Sequence, residues 1–346
     1  MSADTLSDVL RTVRLRGALF YYVRGTRDWA AEAPRSRVIA GEVMPDSEHV
    51  MEYHVVIRGS CWGAIVGEQP VRMEAGDVIL FPQGDAHVMS SAPGLRAPRG
   101  GGPRMNAKAR PFSLHLDATE GSPGEQGESD DTVLVCGFLG CDLRPFNPLI
   151  AALPRMLHLK AAGEQDWIAQ FVRLATSESA RTRPGADAMF ERMSEMMFVD
   201  AVCRHVDALQ GADRGWLAGL RDRFVGRALS LMHENPAAGW SVEELGARVG
   251  LSRSALHERF AEIIGQPPMQ YLANWRMQVA AGLLRTTSST VLSIAREVGY
   301  ESEAAFTKAF KRLVGLPPSA WRRKTMPSVS ASTLHQSASA PEVGSA

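Results

Sequence analysis

The most constraining feature of this chain is an imperfect repeat in the last third of its 346 residues. One copy covers 241–268 and the other 291–318, with matching positions 49 or 50 residues apart. Each copy has a short apolar-patterned segment, then a glycine (Gly250 or Gly299) suited to a turn with positive φ. A serine follows and can cap the next helix. Each copy therefore predicts two helices joined by a tight turn, the helix-turn-helix arrangement.

The segment between the two copies predicts their spacing. Residues 269–285 carry an apolar stripe at three- and four-residue intervals, at Leu272, Trp275, Val279 and Leu283. A helix of ~18 residues is ~27 Å long, which is comparable with the ~34 Å of one turn of DNA. Two units joined by such a helix can therefore face the same side of a duplex.

Charge is distributed unevenly, although the formal net charge is zero. Residues 216–324 contain 15 Lys and Arg against 9 Asp and Glu, whereas the remainder contains 23 against 29. The C-terminal third is therefore a basic module joined to an acidic body. This surplus agrees with a nucleic-acid partner but is too modest to establish one.

The C-terminal region resembles the AraC family of transcription regulators over roughly Leu220–Lys324. The most specific match is the pattern A-x-x-V-G-Y-x-S-x-x-x-F-x-x-x-F-K-R-x-x-G-x-x-P, from Ala295 to Pro318. The resemblance implies sequence-specific binding of double-stranded promoter DNA, with the second helix of each copy in the major groove. It also implies a homodimer, with RNA polymerase as a further partner.

The resemblance also indicates which side chains face DNA. The outward positions are Arg253, Ser254, His257 and Glu258 in the first copy and Glu303, Ala304, Thr307 and Lys308 in the second. Lys311 and Arg312 are placed for phosphates, which position a protein on DNA without reading sequence. Glu258 departs from the basic residue common in relatives. It either accepts a hydrogen bond from cytosine N4 or is a solvated or intramolecular charge, and both interpretations remain open.

The N-terminal part is predicted to be β-rich. Residues 38–90 contain short runs rich in β-branched residues and broken by Gly and Pro, namely VIAGEV, EYHVVIRG, CWGAIVG, PVRM and DVILFP. The pattern G-x5-P-x-G-x2-H from Gly76 to His87 resembles the second cupin motif, with Ser91 where Asn is usual. Residues 5–145 therefore resemble the cupin-type sensor domain that precedes AraC-type DNA-binding domains.

The first cupin motif is only partly present. Glu52 and Gly59 keep its E-x6-G end, whereas Asp46 and Glu48 replace its usual H-x-H pair. His54 lies two residues after Glu52, so the two side chains share one face of a strand.

Glu52, His54 and His87 are therefore predicted to converge as ligand-binding residues inside a small barrel. A small-molecule pocket is the favoured interpretation. A metal site and a hydrogen-bonded structural role remain open. Because two usual ligands are missing, we expect no enzyme and no cofactor. The alternative is a metal-dependent cupin enzyme that carries a helical domain.

The whole chain is predicted to be an α+β multidomain protein. A cupin-like β-barrel (5–145) precedes a helical linker and dimerisation region (146–214) and an all-α tandem helix-turn-helix domain (215–324). Segments 92–131 and 325–346 are rich in Gly, Pro, Ser or charge, which predicts a mobile loop and a disordered tail. In the helical region, Met189, Met193, Met196 and Met197 form one apolar side, either core or a dimer interface.

Cysteine spacing and hydropathy limit other functions. Cys61, Cys136, Cys141 and Cys203 have no C-x-x-C spacing, so a structural zinc site is not expected and buried thiols are favoured over redox sensors. No apolar run reaches the ~18 residues of a membrane span, and the N-terminal segment lacks a secretory signal. We expect a cytoplasmic protein.

Overall fold

The computed structural model describes residues 4–26, 28–97, 112–117, 131–163, 166–177, 184–210 and 213–325. Its N-terminal part is built on ten strands, β1 to β10, which are Arg16–Thr26, Ala30–Ala33, His49–Arg58, Ser60–Ile65, Val71–Glu74, Val78–Phe81, His87–Ser90, Phe112–Asp117, Thr132–Cys141 and Leu157–Leu159. A six-stranded sheet has the order β10-β6-β3-β9-β1-β8, and a four-stranded sheet has the order β2-β7-β4-β5.

Successive side chains on the central strands of the larger sheet are buried on its two opposite faces. On one face, Val56, Phe81 and Leu134 belong to an apolar cluster shared with the smaller sheet. On the other, Tyr53 and Val135 pack in a second cluster with the helices. Because successive side chains point to opposite faces of a strand, Glu52 and His54 share the face that Tyr53 does not.

Two predictions for this domain were wrong. VIAGEV lies in a helix, α2 (Ser36–Val43), rather than a strand, because Ile39 and Val43 pack together from one helical face. The predicted mobile loop over 92–131 contains β8, which pairs in parallel with β1. The alternation of Phe112, Leu114 and Leu116 with polar residues is typical of a strand. Residues 98–111 and 118–130 lie outside the described part.

Helices cover the second face of the larger sheet. Besides the N-terminal α1 (Thr5–Thr12), they are α3 (Pro148–Ala152), α4 (Trp167–Thr176) and α5 (Ala186–Ala208). The region 146–214 was predicted to be helical throughout, but helix α3 ends before Pro154, since proline cannot continue a helix, and the chain then forms strand β10. The long helix predicted from the methionine-rich segment is confirmed as α5.

The C-terminal part is helical throughout. Its helices, α6 to α13, are Trp216–Arg221, Arg223–Glu234, Val242–Val249, Arg253–Ile264, Pro268–Thr286, Val291–Glu297, Glu303–Val314 and Pro318–Thr325. The predicted α+β class is therefore confirmed. None of the described helices has the length and apolar character that a membrane span requires. The predicted disordered tail lies outside the described residues beyond 325.

The two parts contact each other through buried polar groups as well as apolar core. Asp142, just after β9, accepts hydrogen bonds from Arg14 (2.6 and 2.7 Å) and from Arg285 of α10 (2.9 Å). Gln278 of α10 accepts a hydrogen bond from the backbone N–H of Phe146 at 2.9 Å. The long helix between the two copies of the repeat is thus fixed against the β-rich part.

Candidate functional site

The two helix-turn-helix units form as the repeat predicted. Gly250 and Gly299 adopt φ of 82° and 83° at the two turns. Ser252 accepts a hydrogen bond from the N–H of Ala255, and Ser302 accepts the equivalent bond from Ala305, each at 3.2 Å. These bonds satisfy backbone donors that a helix start leaves free.

Packing decides which face of each second helix points outward. Leu256 and Phe260 of α9 are completely buried, as are Phe306 and Phe310 of α12. Since residues four apart lie on one side of a helix, these pairs fix the inner face. The positions between them are exposed in α9, whereas in α12 Lys308 is exposed and its two neighbours are partly buried.

The candidate DNA-facing residues lie on these outer faces. Nine of the ten are exposed and Thr307 is partly buried; the nine are Arg253, Ser254, His257, Glu258, Glu303, Ala304, Lys308, Lys311 and Arg312. Arg253 forms a 2.9 Å ion pair with Glu243 of α8, and both side chains remain more than half exposed. Glu258 has no ion pair within the described part of the chain. This observation favours a solvated carboxylate or a base contact over an intramolecular pair.

A buried polar cluster lies between the two sheets of the N-terminal part. Glu52 and His54 come from β3 and His87 begins β7, and their exposed fractions are 0%, 3% and 1%. The sequence prediction that they converge is confirmed. The cavity they line measures about 60 Å³.

The polar atoms of this cluster face one another at short range. His54 Nε2 and His87 Nε2 are 2.8 Å apart. Glu52 Oε1 lies 3.9 Å from His54 Nε2, and Glu52 Oε2 lies 3.6 Å from His87 Nε2. Tyr21 donates a hydrogen bond to Glu52 Oε1, whereas Oε2 has no hydrogen-bond partner among the described residues. One buried carboxylate oxygen therefore faces the cluster unpaired.

Hydrogen bonds at the far edges of the imidazoles orient the rings. His87 Nδ1 lies 2.9 Å from the carbonyl oxygen of Asp85, which can only accept, so Nδ1 carries the proton and Nε2 accepts the hydrogen bond from His54 Nε2. His54 Nδ1 lies 2.7 Å from Cys136 Sγ. Phe81 stacks on His87 with a centroid separation of 3.8 Å. Both rings are held with their Nε2 atoms toward the cavity.

Burial controls the ionisation of these groups. It lowers the pKa of His87 to about 4, although the Asp85 carbonyl opposes the shift, and it lowers that of His54 well below its usual value. Burial also raises the pKa of Glu52 to about 7, against the hydrogen bond from Tyr21. Desolvation penalises a charge that has no partner, so both imidazoles are neutral at neutral pH.

The sequence missed Tyr21 and Cys136 as parts of this pocket. They lie on β1 and β9, which pair with each other in the larger sheet. Apolar runs at 18–23 and 133–139 were signals for these strands. Asp46 and Glu48, at the positions of the eroded motif, do not line the cavity, and Glu48 is exposed and pairs with Arg144 at 2.7 Å.

The cysteines show no sign of thiolate activation. Cys61, Cys136 and Cys141 are buried, and burial raises the pKa of Cys61 and Cys141 to about 12 and that of Cys136 well above its usual value. Cys203 is exposed, but partial burial still raises its pKa. A reactive thiol needs a lowered pKa, so the geometry favours the protonated thiols expected from the sequence.

The methionines of α5 divide between core and surface. Met197 is completely buried, and Met189 and Met193 pack against the core in part. Met196 is 58% exposed. Most of the predicted apolar side is therefore core, and the exposed remainder is a single side chain.

Comparison with known families matches both parts of the chain. A family model described as Cupin matches residues 4–207, and one described as a helix-turn-helix domain matches residues 245–324. A Streptomyces lividans protein described as an AraC-like transcription regulator is 32% identical, covering 94% of this chain and all of the relative. The HTH-type transcriptional regulator AlkR of Acinetobacter baylyi is 25% identical, covering 93% of this chain and all of that protein.

Among solved structures, the DNA-binding domain of AdpA in complex with a target DNA is 30% identical to this chain. The match covers 30% of this chain and 92% of the AdpA domain, with a TM-score of 0.29. The full-length relatives and the two family models agree with the helix-turn-helix geometry and the β-rich domain described above. The chain therefore belongs to the AraC family of transcription regulators, with a cupin domain followed by a helix-turn-helix DNA-binding domain.

Proposed function

We propose that the cupin domain is the sensor of this regulator and that Glu52, His54 and His87 receive its signal. The observation that carries this proposal is the unpaired Glu52 Oε2, buried beside two neutral imidazoles. A buried polar atom without a partner is destabilising. A ligand that pairs with this oxygen would remove that cost, which adds to its binding free energy.

The geometry favours a metal ion as that occupant over an organic molecule. Two ligand atoms at ~2.1 Å from a tetrahedral ion lie about 3.4 Å apart, and the three facing distances here are 2.8, 3.6 and 3.9 Å. A cavity of about 60 Å³ is far smaller than the ~300 Å³ or more of most organic-ligand pockets. Nitrogen and carboxylate oxygen together suit divalent zinc, iron or copper.

One histidine of the cluster has the tautomer that a metal ligand needs, and the other would acquire it by moving one proton across its ring. His87 offers its Nε2 lone pair because its other nitrogen donates to the Asp85 carbonyl, the kind of support that orients metal-binding histidines. In this structure His54 Nε2 carries the proton and donates it to His87 Nε2, while its Nδ1 accepts from the Cys136 thiol. His54 would therefore offer Nε2 to a metal only after its proton moves to Nδ1, which would then donate to Cys136 Sγ. A bound divalent ion would supply the positive charge that the buried Glu52 carboxylate lacks.

One strand connects this pocket with the DNA-binding domain. β9 carries Cys136 against His54, and Asp142 follows its last residue and contacts Arg285. β9 is hydrogen-bonded to β1 on one side and to β3 on the other. We infer that occupancy of the pocket acts on the domain contact through this strand, since a ligand shifts an equilibrium only by its different affinity for the two states.

Metal content and DNA binding test the proposal together. Full-length protein and its His87→Ala variant are incubated with Zn(II), Fe(II) or Cu(II) and dialysed, with His205→Ala on α5 as the control. We expect near-stoichiometric retention of one metal by wild type and control, loss in His87→Ala, and a metal-dependent affinity for genomic fragments recovered by the wild-type protein. If no metal is retained, yet an organic effector acts on wild type and not on His87→Ala, the pocket is the sensor without a metal.

The same material tests the alternative of a metal-dependent enzyme. The usual H-x-H ligands are replaced by Asp46 and Glu48, which lie outside the cavity. We therefore propose that the chain is a regulator without catalytic activity. Turnover of a substrate by the metal-loaded protein would contradict this.

For the DNA-binding domain, we propose that the outer faces of α9 and α12 enter successive major grooves. Seven of the eight predicted base-contact positions are exposed and Thr307 is partly buried, which supports this placement; the seven are Arg253, Ser254, His257, Glu258, Glu303, Ala304 and Lys308. Lys311 and Arg312 extend from the last turn of α12 toward phosphates. Homodimerisation and contact with RNA polymerase are further proposals that follow from the family, and sedimentation of the DNA complex tests the first.

A further inference from the structure

The two helix-turn-helix units pack in separate apolar clusters. Leu256 and Trp275 belong to the cluster that contains the first unit, whereas Met277 and Phe306 belong to that of the second. The connecting helix α10 contributes to both clusters, and Val279 on it packs partly against each. Apolar packing therefore holds each unit together, and the orientation of one unit against the other depends on α10 and on the contacts beside it.

Arg276 lies on α10 at the change from one cluster to the other. Its side chain is partly buried, and its Nε donates a hydrogen bond to the carbonyl oxygen of Pro236 at 2.7 Å. Its Nη2 donates to the carbonyl oxygen of Ala238 at 2.9 Å. Hydrogen bonds from a charged donor are stronger than those between neutral groups. Because the segment 235–240 leads into Ser241, the N-cap of α8, Arg276 holds the entrance to the first unit against α10.

The same guanidinium reaches the turn of the second unit. Arg276 Cζ lies 5.9 Å from the centre of the Tyr300 ring, within the range of cation–π contacts. Tyr300 follows Gly299 in that turn. A Cβ at Gly299 would lie 2.7 Å from the carbonyl oxygen of Ala237 and 3.0 Å from Arg276 Nη2. The turn of the second unit thus packs directly on the segment that enters the first, with Arg276 beside both.

We propose that Arg276 is a positioning residue that sets the spacing between the two DNA half-sites, one under each unit, that this regulator accepts. The inference rests on the proposed entry of α9 and α12 into successive major grooves. One inserted base pair moves a half-site by ~3.4 Å and rotates it by about 35°, so two units in a fixed relative orientation accept one spacing. When two binding units are linked, joint binding depends on how well the link matches the span between the sites. A loosened link therefore broadens the accepted spacing without changing what either unit reads.

DNA titrations of the full-length protein test this role. Enrichment of wild type on a random-sequence duplex library first identifies the two half-sites and their spacing. Affinities are then measured for the enriched site, for the same site with one base pair inserted between the half-sites, and for a duplex that keeps only one half-site. Arg276→Met retains the aliphatic stem but cannot donate a hydrogen bond, whereas Arg276→Lys can. Arg322→Met is the matched control, because Arg322 also donates to two backbone carbonyls, those of Leu284 and Ser289, but does not join the two units.

We expect the inserted base pair to weaken wild-type binding about tenfold or more, and binding of Arg276→Met by no more than about threefold. Arg276→Lys should recover most of the wild-type discrimination, and Arg322→Met should retain it. All four proteins should bind the single half-site with the same affinity. Unchanged discrimination in Arg276→Met, or an equal loss in Arg322→Met, would overturn the proposal. A parallel loss of half-site affinity in Arg276→Met would also overturn it, since the residue would then only stabilise the fold.

Thermal unfolding shows whether each variant is folded, and Arg276→Gln, which is shorter and uncharged, replaces Arg276→Met if the latter is not. Failure of both variants to fold would assign Arg276 to stability and contradict a positioning role. Enrichment of a single half-site would refute the proposed entry of both helices into DNA, and this inference with it. Two half-sites with unaltered discrimination in the variants would refute this inference alone.

Discussion

Removing the charge of Asp142 should destabilise the protein more than any other single carboxylate change in the domain contact. Asp142 is 4% exposed and accepts two hydrogen bonds from Arg14 and one from Arg285. Asp142→Asn keeps the shape of the side chain but removes its charge. It leaves the Arg285 side chain, which is 11% exposed, without a counter-charge.

The magnitude follows from this burial. Breaking a buried ion pair by removing one partner costs about 3–5 kcal/mol. The Arg14 side chain is 33% exposed, so water can hydrate it once its partner is lost, and the Arg14–Asp142 pair contributes less than a fully buried one. We therefore expect Asp142→Asn to lower the free energy of unfolding by about 3 kcal/mol. Arg285→Ala should cost about 1.5 kcal/mol, because Asp142 keeps Arg14. The double variant should cost less than the sum by about 1 kcal/mol, since both changes remove the same contact.

Urea unfolding of the full-length protein measures these differences as shifts of the midpoint at constant slope. The control is Asp46→Asn, an exposed carboxylate that lines the same surface cleft between the two domains as Asp142, and it should change stability by no more than about 0.5 kcal/mol. If Asp142→Asn cost no more than Asp46→Asn, the buried network would not hold the domains together. Strict additivity of Asp142→Asn and Arg285→Ala would show that the two residues are not coupled.

Two further predictions concern DNA reading and pH. Lys308→Ala should reduce the preference for particular bases by roughly 1–3 kcal/mol, whereas Arg312→Ala should weaken binding to all DNA sequences alike and lower the salt slope by about one. Binding titrations on matched and scrambled DNA fragments measure both effects. An equal loss of affinity for all sequences in both variants would contradict the placement of Lys308. Burial lowers the pKa of His233 to about 3. Between about pH 6.5 and pH 3 the unfolded chain is therefore protonated at this residue while the folded chain is not. The stability that neutral His233 confers is present above about pH 6.5 and is lost progressively as the pH falls toward 3. When the pH is lowered from 6 to 4, the free energy of unfolding of wild type should fall by about 2 kcal/mol more than that of His233→Gln, as measured by urea unfolding. Equal decreases in the two proteins would refute a neutral buried His233.

The helix-turn-helix module was predictable because its rules are local. Gly250 and Ser252 lie within one turn of each other, and Leu256 and Phe260 follow at helical spacing, so turn, cap and buried face are visible in a short window. A second copy with the same pattern makes it improbable that the pattern belongs to an unrelated helical bundle. The module has few features that depend on residues far away in the chain.

The sensor pocket was only half visible for the opposite reason. Glu52 and His54 share a strand and His87 belongs to a sequence motif, so local rules place all three. Tyr21 and Cys136 reach the same cavity through pairing of β1 with β9, which joins positions more than one hundred residues apart. Strand register over such distances depends on the whole sheet, and a single sequence does not show it.

The domain contact was not predictable at all, and charge is the reason. Arg14, Asp142 and Arg285 are separated by 128 and 143 residues, and each looks in sequence like an ordinary solvated side chain. Nothing local distinguishes Asp142, which is buried, from Asp46, which is exposed. The difference arises only when two domains meet and exclude water, because desolvation turns a weak surface pair into a network that costs several kcal/mol to break. Contacts of this kind therefore require the assembled structure, and the comparison of Asp142→Asn with Asp46→Asn measures what the assembly adds to two chemically identical side chains.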